Sequence, residues 1–294
     1  MLKRFARSTA IVGALLVAGA AAQAQKYSFN YFRDPSPNAP VISGTDLSPT
    51  GELVGWYTTT TAAWGFSEVG GKYTTIALPQ QGSASPYTVI NSINGQGKLV
   101  GVGRLPEGYV DGFLLTSSGE LTTIAVPFPN TLTTPLSINS SGTIVGNYTT
   151  ESGALNGFVL EDGTYKAYQV PGSYSTTIND INDNGVIVGS YTTSRGGTSI
   201  GFMLKDGTLT KLTFPGAINT VPNSINADGH IVGHYDTSNA ELPFYFDGTT
   251  YTQIAVPGQY ACNFTHIKNS GYVVGTCSNS STYATEAVVG TPTL

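Results

Sequence analysis

A unit of 42 to 46 residues recurs six times between residue 36 and the C-terminus, and this period constrains the fold more than any other feature of the chain. Each copy follows the pattern Ile-Asn-x-x-Gly-x-Ile-Val-Gly-x-Tyr, then Gly-Phe, then a turn, and then Thr-x-x-Ile-x-Val-Pro. The glycine of the first turn marks the copies, at Gly51, Gly97, Gly142, Gly185, Gly229 and Gly271. Four strand-like runs per copy at such a period predict the blades of a β-propeller.

The fourth copy displays the predicted blade most clearly. Its runs at 175–181, 186–191, 200–204 and 209–214 are rich in Thr, Val, Ile, Tyr and Phe and alternate between polar and apolar residues, which favours strands over helices. The first break between runs is Asn182-Asp183-Asn184-Gly185. An asparagine bonds its own backbone two residues on, and a glycine supplies a positive φ. We therefore interpret the recurring Asn-x-x-Gly as turn chemistry rather than as a ligand site.

The number of strands predicts how the ring closes. The sixth copy contains three strand-like runs and lacks the fourth, while an unassigned run lies at residues 26–32. If this N-terminal strand completes the last blade, no free sheet edge remains at the junction. We therefore predict an all-β fold, a six-bladed β-propeller of four-stranded antiparallel blades that forms a single domain over residues 25–294. The alternative is an open β-solenoid, in which the N-terminal strand would have no such partner.

The first 24 residues have the features of a secretory signal peptide. Lys3, Arg4 and Arg7 precede an apolar stretch at 11–22, and Ala22-Gln23-Ala24 is a small-x-small cleavage site. The apolar stretch is too short to span a bilayer. We expect cleavage before Gln25 and a secreted or periplasmic bacterial protein without a membrane span; a buried N-terminal helix is the alternative.

Composition restricts the partners. The net charge is −5 and only 11% of the residues are charged, so a basic surface for nucleic acid is not expected. Abundant Gly, Thr, Ser, Asn and Tyr are typical of extracellular β proteins, and also simply of β-rich chains. We expect a monomer that needs no cofactor and whose partner is a small polar ligand, a glycan or an envelope protein.

Two apolar columns repeat in register and are predicted to pack between adjacent blades. One column consists of Leu47, Ile93, Ile138, Ile181, Ile225 and Ile267. The other consists of Phe66, Phe113, Phe158, Phe202 and Phe244, with Ala287 in the last copy. The glycine of the Val-Gly pair also recurs, at Gly55, Gly101, Gly146, Gly189, Gly233 and Gly275. We expect this glycine to allow a neighbouring ring or backbone to approach closely.

The two cysteines, Cys262 and Cys277, both fall in the sixth copy. If Ile267 faces Tyr272 across the turn, antiparallel pairing places the cysteines directly opposite one another, within reach of a disulfide. Export would supply an oxidising compartment. We therefore predict a disulfide, with two free buried thiols as the alternative.

Metal sites are not expected. The segment from Asp180 to Gly185 resembles the start of a calcium loop, but its twelfth position is Tyr191 rather than Glu, so the bidentate ligand is missing. His230 and His234 share one face of a strand but lie about 13 Å apart at the usual rise, too far to share one ion. We expect surface or internally satisfied histidines.

One set of positions varies between copies although its neighbours do not. The residue before the core Ile or Leu is Asp46, Ser92, Ser137, Asp180, Ser224 or His266. Alternation along the innermost strand places it opposite the core side chain, at the mouth of the central channel, where concave pockets tend to form. We regard this ring as the candidate ligand site; an unselected solvent position would vary in the same way.

The pattern Pro-Gly, Ile-Asn-x-x-Gly-x-Ile-Val-Gly-x-Tyr, Gly-Phe resembles the HAF repeats of bacterial extracellular proteins. Pro171-Gly172 with residues 181–191, and Pro215-Gly216 with residues 225–235, carry the resemblance best, and it covers nearly all of the mature chain. The family's His-Ala-Phe is replaced by other tripeptides that keep the Phe, such as Trp64-Gly65-Phe66. The resemblance implies a secreted repeat protein and transfers no activity or catalytic motif.

Three functions are compatible with these features. The first is an exported, non-catalytic propeller that binds a ligand or serves as a scaffold. The second is a propeller hydrolase or lyase acting on a polysaccharide or lactone, which would need clustered Asp, Glu and His at one channel mouth. The third is a structural envelope protein. Propellers host many unrelated functions, so the fold does not choose among them.

Overall fold

The computed structural model of the protein describes residues 27–32, 41–79, 85–128, 132–258, 260–279 and 285–293. The predicted signal peptide lies outside these residues. The described chain forms six four-stranded antiparallel sheets, as the repeat predicts.

Each sheet is one blade. Blade 1 consists of β2–β5, at Val41–Leu47, Leu53–Thr58, Ala63–Val69 and Lys72–Ile76. Blade 2 consists of β6–β9, at Thr88–Ile93, Leu99–Arg104, Val110–Leu115 and Leu121–Ile124. Blade 3 consists of β10–β13, at Thr133–Ile138, Ile144–Thr149, Leu155–Glu161 and Thr164–Tyr168.

The second half of the molecule repeats this arrangement. Blade 4 consists of β14–β17, at Ser175–Ile181, Ile187–Thr192, Ile200–Lys205 and Thr208–Leu212. Blade 5 consists of β18–β21, at Asn219–Ile225, Ile231–Asp236, Glu241–Phe246 and Tyr251–Gln253. Blade 6 consists of β22–β24, at Tyr260–Ile267, Val273–Asn279 and Thr285–Pro292, together with β1 at Tyr27–Phe32.

The N-terminal strand closes the ring, as predicted. β1 pairs with β24 over six residues, from Tyr27 opposite Pro292 to Phe32 opposite Ala287. The first strand of each blade contacts the first strand of the next, and β22 contacts β2. These six strands therefore surround the central channel, and an open solenoid is excluded.

The hydrophobic core lies between the blades. Phe66 of blade 1, for example, is buried in one cluster with Val274 and Val289 of blade 6. The phenylalanine column and Ala287 are all buried, and all but Leu47 of the isoleucine column are buried as well. Both columns therefore pack where the sequence predicts, because a four-stranded sheet buries its faces only against its neighbours.

A β-bulge interrupts the innermost strand of every blade, and the sequence analysis did not predict it. The extra residue in each case is Thr45, Asn91, Leu136, Asn179, Asn223 or Thr265. The bulge explains the glycine of each Val-Gly pair. A Cβ on Gly189 would lie 2.0 Å from the carbonyl oxygen of Thr177, and the other five glycines have equivalent contacts at 2.0 to 2.2 Å.

Cys262 and Cys277 form a disulfide in blade 6, as predicted. They are directly opposed in the β22–β23 pair, and their Cα atoms are 4.1 Å apart. The register assumed for this prediction was wrong at the turn, because Ile267 lies opposite Val273 rather than Tyr272, and the bulge at Thr265 restores the opposition of the cysteines. In the described part of the chain, no helix has the length and hydropathy needed to cross a membrane.

Candidate functional site

The six ring residues meet around the channel axis. Each lies directly after the bulge of its innermost strand, and all six are buried: Asp46, Ser92, Ser137, Asp180, Ser224 and His266. The sequence predicts these positions at the mouth of the channel. Their side chains are buried, and the three serine hydroxyls donate hydrogen bonds to the two carboxylates.

Asp180 connects three blades. Its Oδ1 accepts hydrogen bonds from the Ser137 hydroxyl of blade 3 and from its neighbour's backbone, the N–H of Ile181 at 2.8 Å. Its Oδ2 accepts from the Ser224 hydroxyl of blade 5 and from the N–H of Ile225 at 2.8 Å. The four acceptor positions of this carboxylate are therefore all used.

Asp46 makes the equivalent contacts on the opposite side of the ring. Its Oδ1 accepts from the N–H of Leu47 at 2.7 Å and from the Lys268 ammonium of blade 6. Its Oδ2 accepts from Ser92 Oγ at 2.8 Å and from the N–H of Ile93 at 3.0 Å, both in blade 2.

The pKa of the Asp46 carboxyl reflects this environment. Burial opposes ionisation, but the nearby His266 and Lys268, the hydrogen bond from Lys268 and the backbone bond from Ile93 outweigh it, so the pKa is lowered from its ordinary value of 3.8. Asp46 is therefore a carboxylate at neutral pH.

His266 lies between the two carboxylates. Its Nδ1 donates a hydrogen bond to the carbonyl oxygen of Thr45 at 2.8 Å. Its Nε2 is 3.8 Å from Asp46 Oδ2 and 3.8 Å from Asp180 Oδ1. Among the described residues Nε2 has no hydrogen-bond partner, although the residue is only 7% exposed.

The turn asparagines form a second ring beside the first. The Oδ1 of Asn182, for example, accepts from the N–H groups of Asn184 and Val186 within its own turn, which confirms the predicted role. Its Nδ2 donates to the carbonyl oxygen of Asn226 in the next blade at 2.8 Å. The equivalent side chains make the same bond to the next blade, at Asn94, Asn139 and Asn226. These asparagines therefore also join the blades, which the sequence analysis did not predict.

The ring and the turns enclose a cavity of about 610 Å³, which we call the vestibule. Asp46, Ser92, Ser137, Asp180 and His266 line its depth, and the Asn-x-x-Gly turns line its rim. The vestibule extends over the junction between blades 6 and 1, where Phe32, Glu68 and Tyr272 line it. A smaller cavity of about 220 Å³ lies at the other end of the channel, lined largely by the six bulge residues. His266 lines both cavities and so lies between them.

Lys268 is a site residue that the sequence analysis missed. It occupies the position of the turn asparagine in the sixth copy, and its ammonium group reaches the carboxylate of Asp46. A lysine at a position that Asn holds in four other copies could have indicated a distinct role in the sixth copy. Its partner, however, is 222 residues away in sequence and becomes adjacent only when the ring closes.

The predicted absence of a metal site remains a prediction. Within the described ranges no group of three or more His, Cys, Asp and Glu residues is arranged to hold a metal ion. In the calcium-like segment, Asp180 and Asn182 use their oxygens to join blades and to close a turn.

No protein-family model matches the sequence, and no curated protein matches it significantly. The resemblance to HAF repeats therefore stays a prediction. Solved structures resemble the fold at low sequence identity.

The structure is similar to TolB from Acinetobacter baumannii, with a TM-score of 0.56, 13% identity, and coverage of 83% of this chain and 64% of that one. A putative TolB from Agrobacterium tumefaciens gives a TM-score of 0.51 at 13% identity, covering 92% of both chains. The β-propeller domain of the trilobed protease from Pyrococcus furiosus gives 0.52 at 13% identity, covering 86% of this chain and 81% of that one.

These similarities define the class of protein as a β-propeller. That protease domain is described as having an open velcro topology. Here, by contrast, β1 completes blade 6. At such identities the resemblance establishes the architecture and no activity.

Proposed function

We propose that the protein is an exported, non-catalytic propeller that binds a small polar ligand in its vestibule. The observation that carries the proposal is the vestibule itself. Its volume of about 610 Å³ lies within the range of small-molecule sites, and its buried polar groups are placed by all six blades. A glycan fragment or an envelope component is a suitable ligand class for an exported protein.

Two observations support export. The sequence begins with the signal-peptide pattern at residues 1–24, and the Cys262–Cys277 disulfide is typical of an oxidising compartment. The intact mass of the protein recovered from the periplasm or medium should correspond to a chain that starts at Gln25. Retention of residues 1–24 would remove the basis for this part of the proposal.

The non-catalytic part follows from how the acidic residues are used. Asp46 and Asp180 direct their oxygens to serine hydroxyls and backbone N–H groups, so neither of these two carboxylates is free for an acid or base role. The protein should not turn over polysaccharide, lactone or ester substrates, with or without calcium. Turnover that disappears in Asp46→Ala or Asp180→Ala would contradict this and favour the hydrolase or lyase alternative.

The location of the site is testable by blocking the vestibule. Gly95 lines the rim, is exposed, and has space around it, since a Cβ there would meet only Pro49 Cγ, at 3.7 Å. A bulky side chain in Gly95→Trp should therefore obstruct the cavity without disturbing the blades. Gly95→Ala is the matched control.

A panel of sugars, polyols, amino acids and amines should be screened by thermal shift, with hits measured by calorimetry. We expect hits to bind the native protein and Gly95→Ala equally, and to lose at least about tenfold in affinity in Gly95→Trp. Hits that bind Gly95→Trp unchanged would place the site elsewhere. A panel without hits would favour the structural-protein alternative.

A further inference from the structure

Glu68 of β4 is a buried carboxyl group at a position that the other blades keep apolar. It lies opposite Leu53 in the β3–β4 pair. The equivalent position is Leu or Phe in four blades, packed against the core between blades, and Gly in blade 6. These residues are Leu115, Leu160, Leu204, Phe246 and Gly290. Glu68 is only 5% exposed, and burying a carboxyl group destabilises a protein where a leucine would not. Residues that break a local rule in this way occur at functional sites.

One oxygen of this carboxyl group is left for a ligand. Oε1 accepts a hydrogen bond from the N–H of Gly71 in the β4–β5 turn. Within the described chain, no residue donates to Oε2 and no cation forms an ion pair with Glu68. Oε2 is not fully enclosed, and Glu68 lines the vestibule. The free oxygen therefore opens into the cavity.

The vestibule has an apolar wall on this side, at the junction of blades 6 and 1. The side chains that form it are Phe32, Leu47, Leu53, Tyr272 and Val289. The rings of Phe32, from the closing strand β1, and of Tyr272 are partly exposed there. We call this wall together with Glu68 the junction subsite. It combines a broad apolar surface with one polar atom that has no partner.

The polar partner of Oε2 is best supplied by a hydroxyl group. An ionised carboxyl oxygen only accepts hydrogen bonds, and a protonated one donates. A hydroxyl both donates and accepts, so it bonds to Oε2 in either state, whereas an ammonium group serves only the ionised one. The apolar wall requires C–H surface on the same ligand.

We infer that the junction subsite holds a hydroxylated ring such as a pyranose. One hydroxyl bonds to Glu68 Oε2, and one C–H face of the ring packs against the apolar wall. This inference rests on the proposed function and adds the class of ligand, a sugar-like ring rather than an amine or an open-chain polyol.

The experiment uses the ¹⁵N-labelled mature protein and follows the backbone amide of Gly71, which bonds directly to Glu68. The probes are cyclohexanol, glycerol and cyclohexylammonium. Cyclohexanol has both the ring and the hydroxyl, glycerol lacks the ring, and cyclohexylammonium replaces the hydroxyl with a cation. Cyclohexanol should shift the Gly71 amide, and glycerol should need at least about tenfold higher concentrations for the same shift. Cyclohexylammonium should bind no more tightly than cyclohexanol.

Two variants of Glu68 separate the hydrogen bond from the charge. Glu68→Leu introduces the residue of blades 2 to 4, so it should fold and melt no lower than the native protein. It should bind cyclohexanol at least about tenfold more weakly. Glu68→Gln keeps an acceptor for Gly71 and presents an NH₂ group to the hydroxyl, so its affinity should stay within about threefold. Glu120→Leu, exposed and outside the vestibule, is the control and should leave the affinity unchanged.

Three results would overturn the inference. Unchanged cyclohexanol affinity in Glu68→Leu would mean that Glu68 serves only its own turn. Equal affinity for glycerol would mean that the apolar wall contributes nothing, and tighter binding of cyclohexylammonium would mean that the subsite takes a cation.

Failure of the inference is distinguishable from failure of the proposed function. A screening hit that Gly95→Trp blocks but that binds Glu68→Leu unchanged would uphold the proposed function and overturn the inference. A hit that binds Gly95→Trp unchanged counts against the proposed function itself.

Discussion

Two carboxylates join all six blades at the centre of the molecule. Asp46 connects blades 1, 2 and 6, and Asp180 connects blades 3, 4 and 5. Each lies in the first strand of its own blade. Asp180 accepts from a serine on either side, whereas Asp46 accepts from Ser92 on one side and from Lys268 on the other. Because the two stand in copies one and four, the connections are distributed evenly around the ring.

Replacing Asp46 should therefore destabilise the propeller and flatten its acid response. Asp46→Asn removes the charge opposite Lys268 and should lower the free energy of unfolding at pH 7 by about 3 kcal/mol. The lowered pKa of Asp46 means that its ionised form stabilises the folded state above the ordinary value of 3.8 and that this contribution is lost as the pH falls through the folded-state pKa.

Urea denaturation between pH 7 and pH 2 measures both effects. The variant should lose less stability than the native protein on acidification below about pH 5. Asp228→Asn, at an exposed turn position, is the control and should behave as the native protein does. If the free energies of unfolding of the native protein and of Asp46→Asn fall in parallel as the pH is lowered, Asp46 does not make the assigned contribution to stability.

The glycine beside each bulge is required by contact with the backbone. A methyl group on Gly189 would overlap the carbonyl oxygen of Thr177, which the β-sheet holds in place. Gly189→Ala should therefore lower the free energy of unfolding by about 3 kcal/mol or more. Gly95→Ala, where space is available, should stay within about 0.5 kcal/mol of the native protein. Similar stabilities for the two variants, measured by thermal unfolding, would be inconsistent with this packing.

At the scale of the strands, the bulge determines what the channel contains. Each innermost strand adds one residue at the bulge, and this residue lines the smaller cavity. The next side chain lines the vestibule in every blade except blade 5. Both ends of the channel are therefore polar. Asn91 and Asn179 donate to carbonyl oxygens of the following blade at 2.7 Å, so the bulges also contribute to blade contacts.

The disulfide stabilises the first hairpin of blade 6. It links residues 15 apart, for which the chain-entropy model gives about 3 kcal/mol. The double variant Cys262→Ser/Cys277→Ser should lose up to about this amount in urea denaturation. Alkylation of the native protein without reductant should label neither cysteine, and peptide mapping should find one linked pair. Free thiols in the exported protein would contradict the pairing.

At the scale of the whole molecule, ring closure depends on a strand far away in sequence. β1 covers the outer edge of β24, and Phe29 stacks on Phe264 with ring centroids 5.9 Å apart. The same closure brings Thr45 and Asp46 of copy one against His266 and Lys268 of copy six. The strand at the rim of blade 6 and the buried site at the centre therefore depend on one junction.

Removing the closing strand should affect both stability and solubility. A chain that starts at Arg33 exposes the edge of β24 and part of the core, so we expect aggregation or a fall in Tm of more than about 10 °C. A chain that starts at Tyr27 retains β1 and is the control. If the two truncations melt at the same temperature and remain monodisperse, the N-terminal strand does not close the ring.

The sequence by itself determined the architecture, because every blade is built from the same local pattern of strands and turns. The period, the alternation within each run and the missing fourth strand of copy six were sufficient for the blade number and the closure. The cysteine pairing was predicted correctly, although the predicted register at the turn was one residue off and the unpredicted bulge in β22 compensates for the difference. Boundaries were less accurate: the fourth strand of blade 4 ends at Leu212, two residues before the predicted end, because its pairing with β16 ends there.

The tertiary structure decided the chemistry of the site. Periodicity located the six ring positions, but it did not reveal the bulge beside them or that their side chains bond to one another. His266 and Lys268 depart from the repeat, but the sequence did not show what they contact. Their partner Asp46 is more than 200 residues away. Such contacts depend on closing a ring through six packed interfaces, and no local pattern of residues records which side chains that closure brings together.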